Sequence, residues 1–247
     1  MTATIRTTCR LCDSGRLTEA LNLGETPLAN ELDGTELFPL VVMRCDDCEH
    51  HQLSIAVHPE RLWGPGYPYQ SATSPVFRAH LERLADEVSA LKPGGRVLEI
   101  ASNDGTLVDM LTERELSACG MDPSGPRDHL RSLWPVSWPP REGHPWKLYG
   151  SQDVIIALNV FAHVDDLHGF TAAVKDAIAP GGVFIIEVGD LEQVIANGHF
   201  DVIYLEHLSM HHEAPLHPFF ARHGLKIAKT QRNKSQGGSL RLYVEHA

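Results

Sequence analysis

Long hydrophobic runs are missing from this 247-residue chain. No stretch approaches the roughly 18 apolar residues that a membrane-spanning helix requires. The opening Met-Thr-Ala-Thr-Ile-Arg lacks the apolar core of a secretory leader, so the sequence leads us to expect a cytoplasmic protein with no membrane partner. Positive charge is short as well: 21 Lys and Arg stand against 32 Asp and Glu, a net charge of −11. Extended binding to nucleic acid needs basic side chains to displace phosphate counterions, and this balance argues against it. Cysteine is scarce at five residues, far from the density of a disulfide-stapled mini-protein. What is present is ordinary for a soluble globular chain, with 43% hydrophobic and 21% charged residues. The length supports one sizeable core plus an appendage. Fifteen histidines stand out, and imidazole titrates near neutral pH, so acid–base chemistry is invited.

Four of the five cysteines form two Cys-x-x-Cys pairs, Cys9/Cys12 and Cys45/Cys48. Two residues between thiolates let both sulfurs of a tight turn reach one ion, and two such turns complete a tetrahedral zinc site. The long gap between the pairs is tolerable because loop-closure entropy rises only slowly with length. Disulfides are the competing reading, which a reducing compartment disfavours; His50 or His51 replacing one ligand is another. Residues 1–60 hold four arginines, no lysine and ten acidic residues, the wrong charge for a phosphate-binding finger. Four thiolates also leave no open position for a substrate, so the zinc is expected to be structural. Cys119, alone in an apolar stretch, reads as core.

Gly64-Pro65-Gly66 ends the first region, and Ser74-Pro75 starts a helix whose apolar positions recur to Leu91. The spacing predicts a zinc-binding domain over 1–70, a connecting helix over 71–92, and an α/β domain over 93–247 with an insertion near 197–217. Arg96–Ile100 reads as a buried strand, Ala101–Leu107 as a turn into a helix, and Ala118–Asp122 as a second strand. Further strands are expected at 153–159 and 183–188, with a helix over 164–179 between them. This alternation implies a parallel sheet with helices on both faces. Asp122 follows the first turn by about 20 residues, where a carboxylate can hold the hydroxyls of an adenosine ribose. The turn is no dinucleotide fingerprint, having Gly105 where that motif wants three glycines. Glu99, the small Ala101, Asp122 and the later Pro180-Gly181-Gly182 together resemble the Rossmann-like class I fold of S-adenosylmethionine methyltransferases. A doubly wound domain with no ligand at this turn is the alternative.

Longer stretches carry a more specific resemblance. They are Gly24-x-x-Pro-Leu-Ala-Asn30, Glu99-Ile-Ala-Ser-Asn-Asp-Gly-Thr106, Asn159-Val-Phe-Ala-His163-Val-Asp-Asp, Ile203-Tyr-x-Glu-His-Leu-Ser209 and Gly237-Gly-Ser-Leu-Arg241. In this order, from Cys9 to about Val244, the chain resembles the sugar C-methyltransferases of antibiotic deoxysugar pathways, which methylate C3 of a thymidine-diphosphate 4-keto-hexose. The family has an N-terminal zinc-binding domain, a central methyl-donor domain and a C-terminal domain that helps hold the sugar nucleotide; the last is not expected here. Leu205 and Met210 depart from the family pattern, as does the Trp134-Pro-Val-Ser-Trp-Pro-Pro140 stretch at the expected adenine wall. The resemblance implies His207 as the base, and Glu206 as the group that orients the sugar or steadies a charged imidazole. It makes Tyr204 and His163 donors to an enolate oxygen and Tyr67 or Tyr69 the residue that closes the pocket. For the donor it implies Glu99, Ala101 and Asn103 at the methionine end, Asp122 and Pro123 around ribose and adenine, and backbone contacts from Asn159.

Other readings stay open at this point. Residues 201–212 are too rich in titratable groups to be core and otherwise read as a solvated loop. His207, His211 and His212 could form a metal site, although Ser209 and Pro215 make a continuous helix poor. The expected partner is a small keto-sugar or related ketone. The alternatives are a non-methylating cyclase, isomerase or lyase in the same pocket, and a non-catalytic chain that relies on a partner subunit.

Overall fold

Strands separated by polar turns build the first 57 residues. A computed structural model describes residues 3–31, 34–63, 67–125, 128, 132–140 and 150–247. Strands β1 (Ala3–Ile5), β2 (Leu17–Thr26), β3 (Phe38–Cys45), β4 (His51–Leu53) and β5 (Ile55–Val57) precede a one-turn helix α1 (Pro59–Leu62). β2, β3 and β4 form an antiparallel meander, and β1 pairs with β5. Buried and exposed positions mostly alternate along β3, as a half-covered strand requires. Its inward residues Phe38, Leu40 and Val42 pack with Leu53, Ile55 and Val57.

Helix α2 (Pro75–Leu91) starts where Ser74 Oγ accepts the Phe77 N–H at 3.3 Å, with Pro75 in the first turn. It buries Phe77, His80, Leu81, Leu84, Ala85 and Val88, one helical stripe. The sheet that follows is the frame of the molecule. Its strands are β6 (Arg96–Ile100), β7 (Ser117–Met121), β8 (Leu133–Trp134), β9 (Gln152–Leu158) and β10 (Ile178–Gly189), with helices α3 (Thr106–Glu113) and α4 (Leu167–Ala177) between them. Helix α5 (Leu191–Asn197), strand β11 (Ser209–Met210), helix α6 (Glu213–Arg222) and strands β12 (Leu225–Asn233) and β13 (Ser239–His246) complete the chain.

The seven-stranded order is β12-β13-β10-β9-β6-β7-β8. β6 to β10 run parallel, and β13 is antiparallel between β10 and β12. This is the α/β, Rossmann-like class I arrangement the sequence implied. After β6 the chain adds strands on one side, and from β9 on the other. The crevice at the carboxyl ends of β6 and β9 is therefore the topological switch point, where open α/β sheets bind ligands.

Three local differences have clear causes. The helix expected over 164–179 spans 167–177, because Asp166 Oδ1 caps it by accepting the Gly169 N–H at 2.8 Å. Residues 213–222 are helical, with Pro215 in the first turn, where no N–H partner is lost, and Pro218 inside the helix. Residues 201–212 are not a solvated loop: Leu205, Glu206, Leu208, Ser209, Met210 and His211 are buried. β11 pairs antiparallel with β4, and Leu205, Leu208 and Met210 complete the apolar cluster of the N-terminal sheet. The insertion thus supplies the core that the small zinc-binding region could not build alone.

Candidate active site and zinc centre

Tight turns at Cys9–Cys12 and Cys45–Cys48 bring four sulfurs within 4.8 Å of one another. Cys9 and Cys48 sulfurs lie 3.6 Å apart and those of Cys12 and Cys45 3.5 Å apart. A tetrahedral zinc with sulfur ligands at about 2.3 Å spaces them by about 3.8 Å, so the four fit that ion. Protons alone serve the cluster poorly. Donation from the Cys48 thiol pulls Cys9 down to about 5, burial pushes Cys12 up to about 11, and Cys48 is pushed up by Cys9 and by burial. Four thiolates coexist here only around a cation. His50 is not a ligand of this centre, its Nε2 lying 3.2 Å from Ser209 Oγ. The cysteines are the one metal-binding group among the described residues, so the alternative metal site at His207, His211 and His212 is not formed.

The second site is a cavity of about 760 Å³ over the switch point, within the range of small-molecule pockets. Its floor is the turn after β6, where Ala101, Asn103 and Gly105 have φ of 60°, 51° and 79°. These left-handed positions, unusual for Ala, fold the backbone beneath the pocket. Glu99, one residue before the end of β6, is 6% exposed, and its Oε2 has no hydrogen-bond partner. Burial first, then Asp104, Asp122 and Asp109, raises its pKa well above the usual range. An ammonium group is what such a carboxylate lacks, which fits the amino end of S-adenosylmethionine.

Asp122 faces the same turn. Its Oδ2 accepts the Asn103 N–H at 3.0 Å, and its Oδ1 accepts from Ser124 N and Oγ at 2.7 and 2.6 Å. A carboxylate offers about four acceptor sites, and the described residues occupy three of them, leaving one for a ribose hydroxyl. Pro123, Asn159, Ser137 and Trp138 also line the cavity. Trp134 is in the core, and Trp138 stands in the wall with its Nε1–H donating to the Phe170 carbonyl at 3.3 Å. Trp138 therefore borders the cleft, Trp134 lies outside its lining, and the cleft stays open. Asn103 reaches across it: Nδ2 donates to the Tyr69 carbonyl at 2.9 Å, and Oδ1 accepts the Ser71 N–H at 2.9 Å.

Opposite the turn stands a column of rings. Trp63 stacks on His163 at 4.8 Å between centroids, and His163 stacks on His207 at 5.1 Å. Tyr67 meets Trp63 edge-on at 5.1 Å. His207 Nδ1 lies 2.6 Å from the Val202 carbonyl, which can only accept. Nδ1 therefore carries the proton, and Nε2 accepts the Tyr204 hydroxyl at 2.9 Å. Burial lowers the pKa of both histidines, with His207 adding to the effect at His163, so both stay neutral near pH 7. Burial also raises Tyr67 to about 12 and Tyr204 further. His163 Nε2 is buried without a partner.

The cavity thus gathers His207, Tyr204, His163, Tyr67 and Tyr69 with Glu99, Ala101, Asn103, Asp122, Pro123 and Asn159. Glu206 is not among its lining residues; it is buried, neither of its carboxylate oxygens has a hydrogen-bond partner, and burial raises its pKa. Two residues escaped the sequence reading. Trp63 had a signal, a large aromatic ring just before Gly64-Pro65. Arg10 had only its place between two cysteines, although it is 1% exposed.

Comparison with known proteins bears on the family and the fold. The family described as Methyltransferase domain matches residues 69–230, and a zinc binding domain family matches residues 9–63. C-methyltransferase NovU of Streptomyces niveus is 28% identical over 97% of this chain, which spans 60% of that relative's length. Among solved structures, the 1,6-didemethyltoxoflavin-N1-methyltransferase of Burkholderia thailandensis, with bound 1,6-didemethyltoxoflavin and S-adenosylhomocysteine, aligns with a TM-score of 0.53 at 12% identity, covering 82% of this chain and 97% of that one. The CcbJ methyltransferase of Streptomyces caelestis aligns at 0.53 and 13% identity, covering 72% and 93%. Both show the fold alone. On the match over 69–230 and the strand order of its sheet, the chain belongs to the methyltransferase-domain family, with a zinc-binding region ahead of it.

Proposed function

We propose that the chain is an S-adenosylmethionine-dependent C-methyltransferase that methylates the carbon beside a ketone, with a keto-sugar as acceptor, in natural-product biosynthesis. The observation that carries this reading is the Tyr204–His207 pair, which shares one cavity with the buried carboxylate of Glu99, one oxygen of which has no hydrogen-bond partner. The named function of the NovU relative supports it, and the shorter span of this chain leaves its acceptor a matter for experiment.

Bound in the cleft, S-adenosylmethionine supplies an electrophilic methyl group. The residues of the chain do the rest. Glu99 draws an amino group to the strand end, and Asp122 has one acceptor site for a ribose hydroxyl. On the other side, the His207 lone pair already receives the Tyr204 hydroxyl, so it is reached through that oxygen. An α-proton passes to the Tyr204 oxygen as the phenolic proton moves to His207 Nε2. The C–H electron pair moves into the enolate, and His163 Nε2–H donates to its oxygen. With the donor held there, the enolate carbon would take the methyl as the methyl–sulfur bond breaks, its electron pair staying with sulfur in the neutral thioether that leaves. The Val202 carbonyl fixes the tautomer that makes Nε2 the acceptor. Zinc has no part in these steps. Offering the protein a thymidine-diphosphate 4-keto-6-deoxyhexose with the donor tests the reading: a product one CH2 heavier is expected, and an isomeric product overturns it.

A further inference from the structure

Arg10 follows the first zinc ligand, yet its contacts run toward the cavity. Its side chain is 0% exposed. Nε donates to Asp165 Oδ1 at 2.9 Å, Nη1 to the carbonyls of Leu53 at 2.8 Å and Leu208 at 3.2 Å, and Nη2 to the carbonyl of Ile55 at 3.3 Å. Its own N–H donates to Gln52 Oε1 at 2.7 Å. Asp165 lies two residues after His163, and Leu208 directly follows His207. A planar fork with five donors can bind acceptors on several segments at once; an ammonium point charge cannot. Nothing on the donor side of the cavity, neither Glu99 nor Asp122, appears among these contacts.

We propose that Arg10 is a positioning residue: it fixes the segments that carry His163 and His207 to the zinc knuckle, so that metal binding sets the acceptor side of the cavity. The inference rests on the reading of those two histidines as the acceptor-side groups. Cys9 and Cys12 hold the turn rigid when the metal is bound. Arg10 projects from that turn, and its hydrogen bonds reach the backbone next to one histidine and a carboxylate beside the other. A buried guanidinium is costly to leave unpaired, so the four acceptors and the arginine hold one another in a single arrangement.

The test measures protection of imidazoles in the full zinc-bound chain by reaction with diethyl pyrocarbonate, resolved by residue with mass spectrometry. It needs no methyl transfer, so it can fail while the proposed reaction stands, and the reverse. His80, buried on α2 beside Glu187, reports general loosening of the sheet domain. Arg10→Gln should speed modification of His163 and His207 by roughly tenfold or more while His80 stays protected. Unchanged rates at both histidines overturn the proposal, as does a matching rise at His80, which marks plain loss of stability. Asp165→Asn decides the matter if Arg10→Gln does not fold: faster His163 with protected His80 supports it, and unchanged His163 overturns it. Chelating zinc from the wild-type chain should expose the same two histidines. Should both remain protected, the link to the metal is wrong.

Discussion

At the scale of single residues, two side chains separate binding from chemistry. Glu99 is a buried carboxylate with an oxygen that has no partner and a pKa far above its usual range. A raised carboxyl pKa favours the folded state at low pH and costs stability as pH rises through it. Glu99→Gln should therefore raise the melting temperature at pH 7 while weakening S-adenosylhomocysteine binding by about 10- to 100-fold in calorimetry; a variant that is both less stable and unimpaired in binding contradicts this account. Tyr204→Phe removes the hydroxyl between substrate and His207. We expect turnover to fall by about 10²–10⁴ with unchanged affinity for S-adenosylhomocysteine, and unaltered turnover would remove the relay. The types of these residues were legible in the sequence. Their order along a relay was not, because it depends on the Val202 carbonyl that fixes the His207 tautomer, and a backbone acceptor has no sequence signature.

At the scale of elements, the buried strands and the Cys-x-x-Cys turns could be read directly. Val97-Leu98 and Val154-Ile155-Ile156 are buried on both faces and show continuous apolar runs. The insertion misled because its polarity belongs to two surfaces at once. Tyr204 and His207 face the cavity, Leu205 packs into the zinc-binding sheet, and Leu208 and Met210 touch both. Such a segment shows neither strand nor helix periodicity. The same pairing of β11 with β4 predicts the effect of metal loss. One zinc per chain should be released on chelation or in Cys9→Ser, and hydrogen exchange should then rise in β3, β4 and β11 while β6, β9 and β10 keep their protection. Equal loss of protection in β6 would show instead that the metal stabilises the whole molecule.

At the scale of the whole molecule, the histidines make folding pH-sensitive. His163, His207 and His211 are held below their ordinary value chiefly by burial, His211 at about 4. The unfolded chain takes up protons below about pH 6.5 that the folded chain refuses, so stability is intact above that value and falls as pH drops toward 4. Each such histidine contributes up to about 1.4 kcal/mol per pH unit in that window, and urea midpoints between pH 7 and 5 should show it; a flat profile contradicts the buried, neutral assignment. None of the described helices is long and apolar enough to cross a membrane, and the catalytic reading depends on one cavity that joins the sheet to the zinc-binding region. The most direct test of that reading is to run the reaction with donor labelled by ¹³C in its methyl group and a keto-deoxyhexose nucleotide as acceptor. The account predicts one labelled methyl bonded to the carbon adjacent to the carbonyl in the NMR spectrum of the product. Label on oxygen or nitrogen, or an altered product with no label, would contradict it.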